Sequence, residues 1–138
     1  MNKIAIKRSV YDNIIRLFDC KKEDGGIIGI KDGIISAFFF NPGNEMDRYH
    51  IDVQKFSRVV EEWDKEDIEF VGFIHSHPFG EYEPSLKDFA YLRKFLKANQ
   101  YLKSLHFPVV FKKSEKVEIS YFIFEDNEFK PIEFEIID

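Results

Sequence analysis

The chain has 138 residues, 33% of them charged, with 16 phenylalanines beside one tryptophan, which is enough to bury an aromatic core and matches a single domain over 1–138. A net charge of -5 without a Lys/Arg cluster excludes nucleic acid as the main partner, no run of 18 apolar residues is present to cross a membrane, and the apolar start is too short for a signal peptide. Cys20 is the only cysteine, which excludes an intramolecular disulfide and a Cys-rich zinc site and leads us to expect a reducing, cytoplasmic setting.

Taken in order, Ile4 and Ile6 alternate with polar neighbours and predict a short first strand. Ser9-Val-Tyr-Asp12 reads as a capping box, and Val10, Ile14, Leu17 and Phe18 follow at helical spacing, so an amphipathic helix is expected from residue 10 to about 21. Cys20 then falls near its end as a small packing residue. Gly25 and Gly26 break the helix and lead into an aliphatic strand, 26–30. Lys31-Asp-Gly33 signals a hairpin turn, with 34–40 as the return strand. A loop at 41–45 precedes a short strand at 48–52, where the lone His50 reads as structural. Asp52 caps a second helix whose apolar stripe is Val53, Phe56, Val59, Val60 and Trp63.

Residues 68–75 form a nearly continuous apolar run, the pattern of a central strand buried on both faces, with Gly72 allowing a close approach. A third helix over 85–97 turns Phe89, Leu92, Phe95 and Leu96 inward. A strand at 107–112 and a hairpin of 117–124 with 129–137, turning at Asp126-Asn127, complete the chain. His106, just before that strand, has no evident ligand partner. Strands alternating with about three helices predict an α/β fold in which a mixed sheet is packed by helices.

The chemistry is concentrated in 70–88. His75 and His77, as i and i+2 residues of a strand, point to the same side, and two imidazoles on one side can share a metal. Seven residues separate His77 from Ser85, and Asp88 follows three later, so a loop containing Pro78, Gly80 and Pro84 can return a carboxylate to the histidines. Two histidines and one aspartate leave a fourth coordination place open, as catalytic zinc sites do. Ser85 and Asp88 read equally well as an N-cap and its capping-box partner, and the two roles are compatible.

His75-Ser-His77, seven residues, Ser85, two residues, Asp88 resembles the signature of the JAMM (Mov34, MPN, JAB1) metalloprotease family, in its small prokaryotic form. The resemblance implies one zinc ion held by His75, His77 and Asp88, with Ser85 stabilising the oxyanion. It also implies a glutamate just before a Gly-rich strand, and Glu23, two residues ahead of Gly25-Gly26-Ile-Ile, matches that position as the general base. Gly29 falls one residue early against the family pattern, so Asp24 is a rival for the role, and Glu81 and Glu83 lie nearer the histidines in sequence. The implied fold is the mixed sheet with helices of a cytidine-deaminase-like sandwich. The implied function is an isopeptidase or peptidase that cleaves after the C-terminal Gly-Gly of a ubiquitin-like or sulfur-carrier protein. A hydrolase of another amide, or a non-catalytic scaffold of the same family, are the alternatives. A Gly-Gly tail has no side chains to grip, so it is expected to lie extended beside a strand or loop edge near 76–84.

Overall fold

The computed structural model describes residues 3–43 and 52–138. Its elements are β1 (Lys3–Lys7), α1 (Arg8–Leu17), β2 (Gly25–Lys31), β3 (Ile34–Asn41), α2 (Val53–Lys65), β4 (Glu69–Ser76), α3 (Leu86–Ala98), β5 (Ser104–His106), β6 (Val109–Lys113), β7 (Lys116–Glu125) and β8 (Glu128–Ile137). The eight strands form one mixed sheet with three helices, as the alternation of patterns in the chain predicts.

Three tight hairpins set the antiparallel registers. Asp32-Gly33, Ser114-Glu115 and Asp126-Asn127 all have positive φ at both central residues, which matches the twist of the flanking strands. β1 runs parallel to both β3 and β8, and β4 runs parallel to β5 and β6. Because β2 pairs with β3 on one side and with β4 on the other, the order of strands returns on itself and the sheet closes. Side chains from β1, β2, β3, β4, β6 and β7 meet in one apolar cluster with Val10 and Ile14 of α1. A second cluster on the opposite face receives Phe56 and Trp63 of α2 and Leu92 of α3 against Phe73, Phe107, Phe122 and Phe124. Aromatic edge-to-face contacts, such as Phe73 with Phe95 at 5.0 Å, pack that second layer.

Several local expectations need correction. α1 begins at Arg8 with Lys7 as an N-cap that makes no side-chain bond, so Ser9 is inside the helix and caps nothing. The cause is β1, which stays paired with β8 as far as Lys7 and Ile137 and turns straight into the helix. The helix also ends at Leu17 rather than near 21, because Phe18 turns to extended backbone and packs its ring against Phe38 and Phe40 at 5.8 and 5.1 Å. Val53 is exposed, so the buried stripe of α2 starts at Phe56. The strand expected over 107–112 is β6, which starts only at Val109, since Pro108 has no N–H to give to a ladder, and β5 at Ser104–His106 is a further short strand that the pattern did not signal. The strand at 48–52 and His50 lie outside the described residues, apart from Asp52, which caps α2 by accepting from the Lys55 N–H at 3.0 Å.

β4 is flanked by β2 on one side and by β5 and β6 on the other. Both ladders of β2 shift register at Gly29, where β3 contributes Ser36 and β4 contributes Val71 as an extra residue. Gly72 is obligatory for packing: a Cβ there would lie 1.9 Å from the His106 carbonyl oxygen. Gly72→Ala must therefore push β5 away from β4, and we expect a loss of about 3 kcal/mol or more in urea unfolding. A loss under about 0.5 kcal/mol would show that the two backbones do not meet so closely.

Candidate metal centre

The pleat of β4 determines which side chains can meet. His75 lies in the strand and His77 just beyond its end, and both are buried on the face that carries α3, with the His75 ring 5.2 Å from that of Phe107. Ser76, between them, points to the other face. Backbone bonds hold this stretch on both sides: the His75 and His77 N–H groups donate to the Pro108 and Val110 carbonyls at 3.3 and 2.9 Å, and the Ser76 N–H donates to Asp24 O at 2.9 Å. The backbone N–H groups of 75–77 are therefore all bonded within the protein.

That loop returns the chain to the histidines. Ser85 is the N-cap of α3 and accepts from the Asp88 N–H at 3.1 Å, while Asp88 Oδ2 accepts from the Ser85 N–H at 2.9 Å, the two halves of a capping box. The same buried carboxylate reaches β4, with Oδ1 3.2 Å from His75 Nδ1 and Oδ2 3.1 Å from His77 Nε2. Asp88 thus caps α3 and at the same time contacts both histidines. Ser85 keeps its hydroxyl hydrogen for a further bond, because its oxygen is the acceptor in the cap.

Glu23 arrives from the other side, in the turn before β2. Its carboxylate and the two imidazoles each offer a donor atom, all within 4.8 Å of one another, which is close enough for one ion to be shared. The Glu23 side chain is largely covered and its Oε2 lies 3.6 Å from Lys87 Nζ, an ion pair that nothing in the sequence signals. Asp24, the rival base, is committed elsewhere: its buried Oδ1 accepts from the Gly43 N–H at 2.7 Å and ties the end of β3 to β2. Glu81 lines the same open groove of about 640 Å³ as Glu23, His77, Ser85 and Lys87, but Glu81 and Glu83 are both exposed. Phe79, at 81% exposure, and Pro78 add an apolar wall to this groove, with Tyr82 and Leu86 also exposed nearby in the chain.

Burial and charge act in opposite directions here. For Asp88, burial favours the neutral acid, but hydrogen bonds from His75 and His77 and from the Ser85 N–H overcome it and hold the carboxyl far below its usual range. Burial likewise opposes a charged His77, yet the bond and charge of Asp88, helped by Glu23 and Glu81, hold its pKa above the ordinary value. The remaining described histidine is different. His106 bonds through Nδ1 to the Tyr121 hydroxyl at 2.7 Å, and burial pushes its pKa down to about 4, so it stays neutral and belongs to the core. Burial also pushes the Cys20 thiol up to about 11, in keeping with a packing role.

The family of prokaryotic homologs of the JAB domain matches residues 9–132, and the chain belongs to that family. The JAB/MPN domain family includes metal-dependent isopeptidases. Two solved structures are similar over nearly the whole chain. One is the solution structure of protein DSY2949 from Desulfitobacterium hafniense, at 17% identity and a TM-score of 0.71, covering 98% of this chain and 93% of that one. The other is the crystal structure of AF2198, a JAB1/MPN domain protein from Archaeoglobus fulgidus, at 13% identity and a TM-score of 0.57, covering 98% and 97%. At these identities the likeness is one of fold. No curated protein matches the chain at a significant level. Among the described residues, no helix is long and apolar enough to cross a membrane.

The Asp88–His77 pair sets a pH window for the metal-free protein. A carboxyl lowered on folding contributes above its unfolded value of 3.8 and loses that contribution as pH falls through the lower folded value. An imidazole raised on folding contributes fully below its unfolded value of 6.5 and loses it as pH rises through the folded value. In the presence of a chelator the pair therefore stabilises most between these values, and stability should decline as pH rises beyond 6.5. Urea midpoints from pH 5 to about 8.5 test this, with Asp88→Asn expected to flatten the decline. An equally steep decline in that variant would remove the pair as its cause.

Proposed function

We propose that this protein is a zinc-dependent isopeptidase or peptidase that cleaves after the C-terminal Gly-Gly of a ubiquitin-like or sulfur-carrier protein. The observation that carries the reading is the convergence of Glu23, His75, His77, Asp88 and Ser85 from three separate segments, with Glu23, His77 and Ser85 lining one groove. The donor set fits zinc: two buried imidazoles and the Glu23 carboxylate offer donor atoms within 4.8 Å of one another, and the Asp88 carboxylate contacts both rings, a nitrogen and oxygen set that suits this ion. His75, His77 and Asp88 would hold the ion. Bound there, zinc would polarise the scissile carbonyl and acidify a water molecule.

The chain's own groups account for the remaining chemistry. The capping box keeps the Asp88 carboxylate from rotating, so both of its oxygens stay turned to the imidazoles. Glu23, close to the histidines and shielded from bulk water, takes a proton from the attacking water at its carboxylate and returns it to the leaving amine. Ser85 donates its free hydroxyl hydrogen to the developing oxyanion. Lys87 steadies Glu23 from the groove's rim. The substrate tail lies extended along the 78–84 loop, since the strand positions before it are already bonded on both sides. Small residues at the junction let its carbonyl reach between Glu23 and Ser85, and the exposed Phe79 gives the tail or the domain behind it an apolar surface to rest on.

Glu23→Gln should keep about one equivalent of zinc per chain while turnover falls by about 10² or more, since the amide cannot accept the proton. Elemental analysis and cleavage of ubiquitin-like domains fused to a cargo through Gly-Gly read the two properties separately. Chelation should abolish cleavage and added zinc should restore it. Ala-Val in place of Gly-Gly should block cleavage. Activity retained in Glu23→Gln but lost in Glu81→Gln would reassign the base, and zinc-loaded protein that cleaves none of several such fusions would redirect the search to other amides.

A further inference from the structure

The residue between the two histidines is the most completely buried polar group in the site. Ser76 is 0% exposed, and its hydroxyl donates to the Lys22 carbonyl at 3.0 Å and accepts from the Asp24 N–H at 2.9 Å. Its own N–H donates to the Asp24 carbonyl at 2.9 Å. These partners stand on either side of Glu23. A serine hydroxyl offers one donor and two acceptor positions, and both of the bonds it makes here go to the backbone that flanks one residue.

The far side of the turn is secured separately. Lys22 Nζ donates to the Gly43 carbonyl at 2.8 Å, and Asp24 Oδ1 accepts from the Gly43 N–H at 2.7 Å. Glu23 is thereby the one residue of the 22–24 segment whose side chain is left to face the groove, while its neighbours are bonded inward. Packing alone does not explain the hydroxyl. A small apolar side chain would fill the same volume, but it would leave the Asp24 N–H without its side-chain acceptor in the interior, which costs more than the bond itself contributes.

We infer that Ser76 is a positioning residue of the reaction: it clamps the backbone on both sides of Glu23 and so holds the carboxylate beside the imidazoles that its own strand presents on the opposite face. The inference rests on the reading of Glu23 as the base. It also gives the pleat a function, because one strand end sends His75 and His77 to the metal side and Ser76 to the Glu23 loop. A displacement of about 1 Å at a reacting group can cost on the order of 10² in rate, so a clamp on the base is worth a buried hydroxyl.

The test compares Ser76→Ala with wild type by amide exchange in chelated protein, by zinc content and by turnover. Loss of the two hydroxyl bonds should speed exchange across residues 22–25 by roughly tenfold, with the β4 amides unchanged. Zinc content should stay at the wild-type level, and kcat should fall by about 10 to 10² with KM within about twofold. In a Glu23→Gln background, Ser76→Ala should cost nothing further, since the residue it positions no longer functions. Ser76→Cys, similar in shape but a weak hydrogen-bonding group, gives the same readings if the alanine variant does not fold. Wild-type exchange at 22–25 in these variants would overturn the clamp. An equal additional loss in the Glu23→Gln background would overturn its action through Glu23. If no substrate is cleaved even by wild type, it is the functional reading that fails, and the exchange experiment still decides whether Ser76 holds the loop.

Discussion

One buried carboxylate joins the two elements on which the site depends. Asp88 accepts from the backbone at the start of α3 and contacts both imidazoles of β4, so strand end and helix start cannot separate without exposing or orphaning charged groups. Taking such groups out of water costs several kcal/mol, and only a full set of well-placed hydrogen bonds offsets it. The N-terminal end of α3 adds a favourable field for the anion. The result is a geometry specified from several directions at once, which is what a shared metal site requires of its ligands.

That arrangement needs a strand that cannot shift, and the sheet supplies it. β4 is bonded to β2 on one side and to β5 and β6 on the other, and the close approach of the Gly72 and His106 backbones leaves no room for a slip. A slip by one residue would also exchange the faces of His75, Ser76 and His77, moving both imidazoles into the apolar cluster around α1. The ring of strands thus serves the site more through register than through shape. α2 and α3 contribute by covering the opposite face with aromatic side chains, which keeps water from the back of the histidines.

Against this rigid wall stands a loop of a different character. Residues 78–84 carry the positive φ angles of Phe79 and Gly80, and the loop is attached to the sheet mainly through the bond that Ser120 makes to the Tyr82 carbonyl and the contact of Tyr82 with Phe111. Phe79 stands 81% exposed on this loop, with Tyr82 and Leu86 also exposed. Here it borders the groove that Glu23, His77, Ser85 and Lys87 line, so an apolar surface adjoins a charged one.

The sequence by itself determined the elements that rest on local signals: the hairpins at Asp32-Gly33 and Asp126-Asn127, the cap at Asp52, the capping box of Ser85 and Asp88, and the pairing of His75 with His77 on one strand face. In each, the partners lie within a few residues, so spacing carries the physics. It also singled out Glu23, though through resemblance to a family rather than through any pattern of its own. Only the tertiary structure puts the Glu23 carboxylate beside the histidines and the Asp24 carboxylate on Gly43, nineteen residues away. Closure of the sheet, the break at Phe107-Pro108, the early end of α1 under Phe18, and the partners of Ser76 and Lys87 likewise arise from contacts between distant segments. Such contacts leave no periodicity in the chain, since they depend on strand order and register, which many sequences with the same local pattern could set differently.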